Sequence, residues 1–386
     1  MGRVIILYLV LVIGIFSCQK KDEYEDIKKI LAETKLKFAT DSRTTIFDVE
    51  IVTSKPVTLQ GETNLRDAKT SLLKQLQLAG FDIQDQITML PSEEIGKEIY
   101  GVISISVANL RSQAKHSSEL VTQSLLGTPV NILKQSNGWL LIQTPDQYIA
   151  WTNSESLARM NQEQLSEWKK SPKIIYLNTY GFSLDTLGKE RVSDLVAGNI
   201  LRLAQENDDF WKVTYPDGRK ALISKKEAEN YQSWYTNIMI SGQSIKTAAM
   251  DLTGVPYLWG GTSTKGVDCS GFTKTVYFLH GLILPRDASQ QVLIGDLIDT
   301  EKSFSSLNIG DLLFFGKVQE DQSEKVVHVG LWLGNNKFIH ASGDVHISSM
   351  DSLDANFDQY NYNRYLRSKR IISAQHSPAK SLSSCY

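Results

Sequence analysis

One cysteine and two histidines carry the chemistry this chain could do. Cys269 follows a glycine-rich run, Gly254-Val255-Pro256-Tyr257-Leu258-Trp259-Gly260-Gly261, and stands in Val267-Asp268-Cys269-Ser270-Gly271-Phe272. A helix is predicted over Ser270 to His280, which puts the cysteine at its start. Unpaired backbone N–H groups and the positive end of the helix dipole lie there, and both favour a thiolate, the nucleophilic form of cysteine. His328 and His340 each sit in a short apolar segment that reads as a strand. A cysteine followed by well-separated histidines is the order of a nucleophilic site with an imidazole base. A buried structural cysteine with two core histidines is the competing reading, and the flanking glycines and the second histidine argue against it.

The elements that would position these groups follow from the pattern. Ile245, Ala248, Ala249 and Leu252 form an apolar stripe at helical spacing that stops at Thr253-Gly254. Strands are expected near Leu312 to Phe315, Val326 to Leu333 and Lys337 to His340. In Val326-Val327-His328-Val329-Gly330, alternation turns His328 away from its immediate valine neighbours. His340 then falls on the adjacent strand of a hairpin, and His346 lies beyond its register. One helix behind a nucleophile, then antiparallel strands, is an α+β layout. Upstream, Gly127 and Gly198, Trp139 and Trp211, and Asp146 and Asp217 recur at nearly constant separation. Each copy runs glycine, strand, tryptophan, strand and Pro-Asp turn, the signature of two small all-β barrels whose tryptophans plug a core. Residues 24 to 40 read as a short amphipathic helix. Residues 48 to 89 carry strand, helix and strand patterns, a small α/β piece best read as a spacer over 24–100.

The whole chain has 386 residues, enough for several cores, with 41% hydrophobic and 22% charged residues. A formal net charge of −2 gives no reason to expect nucleic acid as a partner. Residues 1–18 differ. Arg3 precedes a continuous apolar stretch, Val4 to Phe16, too short to span a bilayer and suited to a signal peptide. It ends Ile15-Phe16-Ser17-Cys18, which resembles a bacterial lipobox with Cys18 as the lipidated residue. Gln19, rather than aspartate, follows. In diderm lipoproteins that points to the outer membrane, periplasmic or surface-facing. The third cysteine, Cys385, then stands alone on a Ser-rich tail, 374–386, expected to be disordered, and no disulfide framework is implied.

Tyr257-Leu258-Trp259-Gly260-Gly261, Asp268-Cys269-Ser270-Gly271-Phe272, Pro285-Arg286-Asp287-Ala288-Ser289-Gln290 and His328-Val329-Gly330 together resemble the NlpC/P60 family of cysteine peptidases. More closely, the chain resembles the family's γ-D-glutamyl-L-diamino acid endopeptidases that carry bacterial SH3-like domains. The resemblance implies a papain-like α+β peptidase domain over 240–373 and SH3-like domains over 101–160 and 172–232. It implies Cys269 as nucleophile, His328 as base and His340 as the residue that orients it, with no metal or cofactor. Tyr257 and the backbone N–H of Cys269 would form the oxyanion hole. Asp268, Ser270, Arg286, Asp287 and Ser289 would line the substrate cleft. Arg286 could clamp a carboxylate, or could equally be a structural ion-pair partner. Glu119 and Tyr148, from the first SH3-like domain, would hold the free amine of an N-terminal L-alanine on a peptidoglycan stem peptide. Two alternatives are a hydrolase of intact peptidoglycan targeted by its SH3-like domains, and a non-catalytic wall-binding lipoprotein.

Overall fold

A computed structural model describes residues 23–372, 374–375 and 379–386. Cys18 and the expected signal peptide lie outside them. The described chain divides into two units, residues 23–42 with 46–89, and residues 43–45 with 90–386.

In the first unit, helix Glu23–Phe38 and helix Arg66–Leu78 pack over a three-stranded sheet, Phe47–Ser54, Val57–Thr63 and Ile83–Met89. The first two strands are antiparallel and the last two parallel, so the second helix is the crossover. Its Ala68, Leu72 and Leu76 follow helical spacing and are fully buried with Ile27 and Leu59.

The second unit opens with two seven-stranded β domains, over Tyr100–Met160 and Lys173–Asn230. The recurring tryptophans occupy matching strands, Trp139–Gln143 and Phe210–Thr214, and both are at least nine-tenths buried. Gly127 and Gly198 both take a positive φ, 87° and 90°, in the turn before the tryptophan hairpin. The helix Gln162–Lys170 joins the two domains, its start closed by a capping box between Asn161 and Gln164.

The C-terminal part packs helix Gly242–Met250 and the cysteine helix, Cys269–Phe278, behind a six-stranded antiparallel sheet. The sheet order is Asp296–Asp299, Tyr365–Arg370, Leu312–Val318, Glu324–Gly334, Lys337–Ser342, Asp344–Ser349. The cysteine helix starts one residue earlier than the spacing predicts, because Asp268 caps it, and ends two earlier, with Leu279 as its C-cap.

The tail departs from expectation. Lys380–Ser381 pairs with Leu282–Ile283, and Leu382 and Cys385 are buried against Ile283, Tyr231 and Trp234. The Tyr386 hydroxyl lies 2.8 Å from Thr128 Oγ1. Three apolar side chains among the serines find a groove to fill, and composition hid them. Cys385 is therefore a buried thiol over the described residues 379–386, not one on a disordered segment.

Candidate active site

The position of Cys269 is built by Asp268. Its Oδ1 accepts from Gly271 N at 2.8 Å as the helix cap, while Oδ2 accepts from Gly260 N at 2.9 Å. Gly271 must be glycine, since a Cβ there would lie 1.9 Å from the Gly261 carbonyl oxygen. Cys269 is thereby fixed at the first helical position, only 8% exposed. The helix start was expected to favour the thiolate. Burial wins instead and, with nearby Asp268, pushes the thiol up to about 11 against the pull of the Val329 and Ser270 backbone N–H groups and Arg286.

His328 lines the same cleft as Cys269 and sits opposite Phe315 in the sheet. Its Nε2 is 2.8 Å from His340 Nδ1 on the next strand. That leaves Nδ1 as the ring nitrogen not used by His340. On the far side, His340 Nε2 is 3.1 Å from Ser348 Oγ and 3.9 Å from Asp358 Oδ2. If His328 Nε2–H donates to His340, then His340 Nε2–H donates to Ser348, and every contact in the row is satisfied with both rings neutral. Burial holds both imidazoles down to about 3. Neither ring therefore carries a charge at neutral pH. His346 lies beyond the hairpin of His328 and His340, on the next strand, Asp344–Ser349. The turn at Gly343 is tight enough to set His346 directly across from His340, with ring centroids 4.7 Å apart. It remains 41% exposed and bonds Asp344, so it flanks the pair without joining the row.

Tyr257 borders the cleft, its backbone N–H held by the Gly343 carbonyl at 2.9 Å. Burial, with Cys269 and Asp268 nearby, pushes its hydroxyl up to about 12, so it stays a donor. Arg286 resolves the ambiguity left by the sequence. It is 1% exposed and forks onto Asp268, Nη2–Oδ2 2.6 Å and Nη1–Oδ1 3.1 Å, with Nη1 also 3.0 Å from Ser270 Oγ. Asp268, Ser270 and Arg286 thus form a buried ion-pair cluster beside Cys269, and the Arg286 fork is turned inward.

The cleft's other wall comes from the first β domain. Glu119, Val121 and Tyr148 line it together with Cys269, His328, Asp287 and Ser289. Glu119 Oε1 accepts from Trp259 Nε1 at 2.7 Å, and Trp259 itself is 62% exposed. Burial, reinforced by Asp287, raises the Tyr148 hydroxyl well above its usual range, so it too remains protonated. The wall is fastened by Gln123, whose Oε1 accepts from Thr262 N and Ser263 Oγ, both at 3.0 Å. A nearly buried ion pair joins Asp146 to Lys274 on the cysteine helix. Gly260, at φ 80°, brings its Cα so close that a Cβ would be 2.3 Å from the Leu120 carbonyl oxygen. Gly260→Ala is therefore expected to lower unfolding free energy by more than about 1 kcal/mol, from φ strain and overpacking. Urea unfolding reads this; an unchanged midpoint would mean the seam is looser than the structure has it.

Arg43 was not foreseen. Its Nη1 lies 2.9 Å from both Asp287 Oδ2 and Ser289 Oγ, and it lines the cleft from a position 244 residues from Asp287. Nothing local in the sequence marks it. Trp259 was visible as part of its motif, but its bond to Glu119 was not.

Residues 254–367 match the family model described as the NlpC/P60 family, and 106–158 match the one described as Bacterial SH3 domain. Among curated proteins, the chain is 29% identical over 234 residues to a γ-D-glutamyl-L-lysine dipeptidyl-peptidase of Bacillus cereus, covering 58% of this chain and 68% of that one. It is 31% identical over 185 residues to a murein DD-endopeptidase/murein LD-carboxypeptidase of Escherichia coli, covering 46% and 90%. Among solved structures, an NlpC/P60 family protein from Bacillus cereus superposes with a TM-score of 0.60 at 24% identity, covering 70% of this chain and 99% of that one, which shows a shared fold.

Proposed function

The chain belongs to the NlpC/P60 family, and from that membership we propose that it hydrolyses the γ-D-glutamyl-diamino acid bond of peptidoglycan stem peptides bearing a free N-terminal L-alanine. It is a cysteine peptidase acting on peptidoglycan. The observation that carries the finer reading is the wall. Glu119 and Tyr148, from a separate domain, border the cleft that holds Cys269, so an acid and a neutral hydroxyl await a terminal ammonium. The relatives named γ-D-glutamyl-L-lysine dipeptidyl-peptidases support the same bond.

In this mechanism Cys269 Sγ attacks the γ-carbonyl carbon of D-glutamate as its proton passes to His328. The carbonyl π electrons move onto oxygen, which the Tyr257 hydroxyl and the Cys269 backbone N–H stabilise. Collapse breaks the C–N bond, and His328 returns the proton to the leaving amine. Water, deprotonated by His328, then attacks the thioester and frees L-Ala-γ-D-Glu and the thiol. His340 holds His328 in the tautomer this requires. We also propose that Cys18 anchors the protein by lipid in the cell envelope, at the outer membrane. Incorporation of labelled fatty acid that is lost in Cys18→Ala would support this; incorporation retained in the variant would overturn it.

The functional test is mass spectrometry of the purified full chain with L-Ala-γ-D-Glu-diaminopimelate and its N-acetylated form. A free-amine peptide cut about ten- to a hundredfold faster is expected, since a charge-assisted contact left unmade costs roughly 1.5–3 kcal/mol. Equal rates would keep the peptidase and remove the amine-binding wall. Cleavage of neither, with release of fragments from intact sacculi, would place the substrate in the wall itself.

A further inference from the structure

The proposed substrate carries two charges near the scissile bond, and with the Arg286 fork turned inward onto Asp268 and Ser270 the carboxylate of the two lacks its expected partner. Glu119 and Asp287 are acids suited to the alanine ammonium. D-Glutamate joined through its side chain keeps its α-carboxylate, which enters the same cleft. Among the described residues lining that cleft, only Arg43 and Arg286 are permanently positive. Arg286 is 1% exposed, with both terminal nitrogens committed to Asp268 and Ser270. Pulling it round would strand the Asp268 charge under the nucleophile.

We infer that Arg43 is the specificity-determining cation that receives the α-carboxylate of the D-glutamyl residue. This rests on the function proposed above. The placement is built on both backbone and side chain. The Arg43 carbonyl accepts from Ile149 N at 2.7 Å, next to Tyr148, and the Thr44 carbonyl accepts from Gln143 Nε2 at 3.0 Å. The guanidinium reaches Asp287 and Ser289 at 2.9 Å, with 36% of the side chain still exposed. Arg43 and Asp287 thus present a cation and an anion side by side, the counterpart of a substrate whose carboxylate and ammonium are one residue apart. A guanidinium suits this because its planar fork can serve a protein carboxylate and a substrate carboxylate together.

The discriminating substrate is the same peptide with that α-carboxylate amidated, as D-isoglutamine. The full chain is expected to cut the carboxylate form about ten- to a hundredfold more efficiently, the worth of one charge-assisted contact. In Arg43→Gln, kcat/KM on the carboxylate form falls by about that factor, chiefly through KM, and the preference shrinks to within about threefold. Arg43→Lys, with charge but no fork, lies between. Titration calorimetry of L-Ala-γ-D-Glu into Cys269→Ala protein, with and without Arg43→Gln, reads the same loss without turnover. Equal losses on both peptides would reduce Arg43 to a structural pin, and a wild-type enzyme indifferent to amidation would overturn the inference while leaving the peptidase reading intact. A wild-type enzyme that cuts neither peptide overturns both. Matching melting temperatures show that the variants are folded.

Discussion

Cys269→Ala is expected to lower kcat/KM on the free-amine peptide by at least about a thousandfold, with folding unchanged. His328→Ala falls as far, and the double variant falls no further, because thiol and imidazole act as one proton-transfer unit. The physical reason lies in what burial does to each partner. Desolvation pushes the thiol up to about 11 and the imidazole down to about 3, so neither ion is favoured alone. A non-catalytic binding protein, by contrast, would lose nothing on this change. The pH dependence follows with its sign. An imidazole at its usual 6.5 loses its base form as pH falls from 7 to 5; His328, held low, keeps it, so kcat/KM should show no acid limb near 6.5 from this group. Stability behaves differently. Unfolded histidines protonate below about 6.5 while buried His328 and His340 do not, so their contribution is full above 6.5 and is lost as pH falls from there towards 3. Urea midpoints measured across that window should decline with acid, and His340→Gln should flatten the decline. A midpoint independent of pH would mean that these rings are solvated.

Asp268→Ala carries the largest expected effect on stability, about 3–5 kcal/mol, because it leaves buried Arg286 with no counter-charge nearer than Asp287 Oδ1 at 3.9 Å. It also removes the cap of the cysteine helix, worth about 1 kcal/mol more. Arg286→Met should cost less than Asp268→Ala. The aspartate left behind keeps two backbone donors, Gly271 N and Gly260 N, whereas the arginine left behind keeps only the neutral Ser270 hydroxyl and a 3.9 Å approach to Asp287 Oδ1 among its present partners. The double change Asp268→Asn with Arg286→Met should recover a large part of the loss, since the asparagine oxygen can still accept and no charge remains buried. Chemical denaturation of the wild type, Asp268→Asn, Arg286→Met and the double variant measures the cycle. Additive losses would show that the two side chains do not depend on each other. If Arg286→Met proved as costly as Asp268→Ala, the backbone donors would not be compensating.

Legibility in the sequence tracked the distance over which an interaction acts. Cys269, its glycines and its capping aspartate lie within a few residues, so local pattern revealed them. His328 and His340 lie 12 residues apart across one hairpin, which alternation could reach. The pairing of His346 opposite His340 was not legible because that register depends on a single tight turn at Gly343, with φ 85°, that alternation does not report. The two readings of Arg286 could not be separated by residue type, since burial and not charge decides between them. Arg43 was invisible because its partner comes from far down the chain. The tail was misread because Ser-rich composition says nothing of a groove elsewhere that three apolar residues can fill.

The seam at Gly260 and Leu120 has a consequence for how the enzyme counts. Backbone meets backbone there, and Gln123 with the Asp146–Lys274 pair fixes the same joint, so the wall bearing Glu119 is set at one distance from the sulfur. On the proposed reading that wall is a depth stop. A peptide advances until its amino end meets it, and the bond then lying over Cys269 is chosen by length measured from that end. The residues beyond the cut have no part in setting the register. One cut leaves a remnant whose new end must start the measurement again, so each peptide yields its dipeptide once.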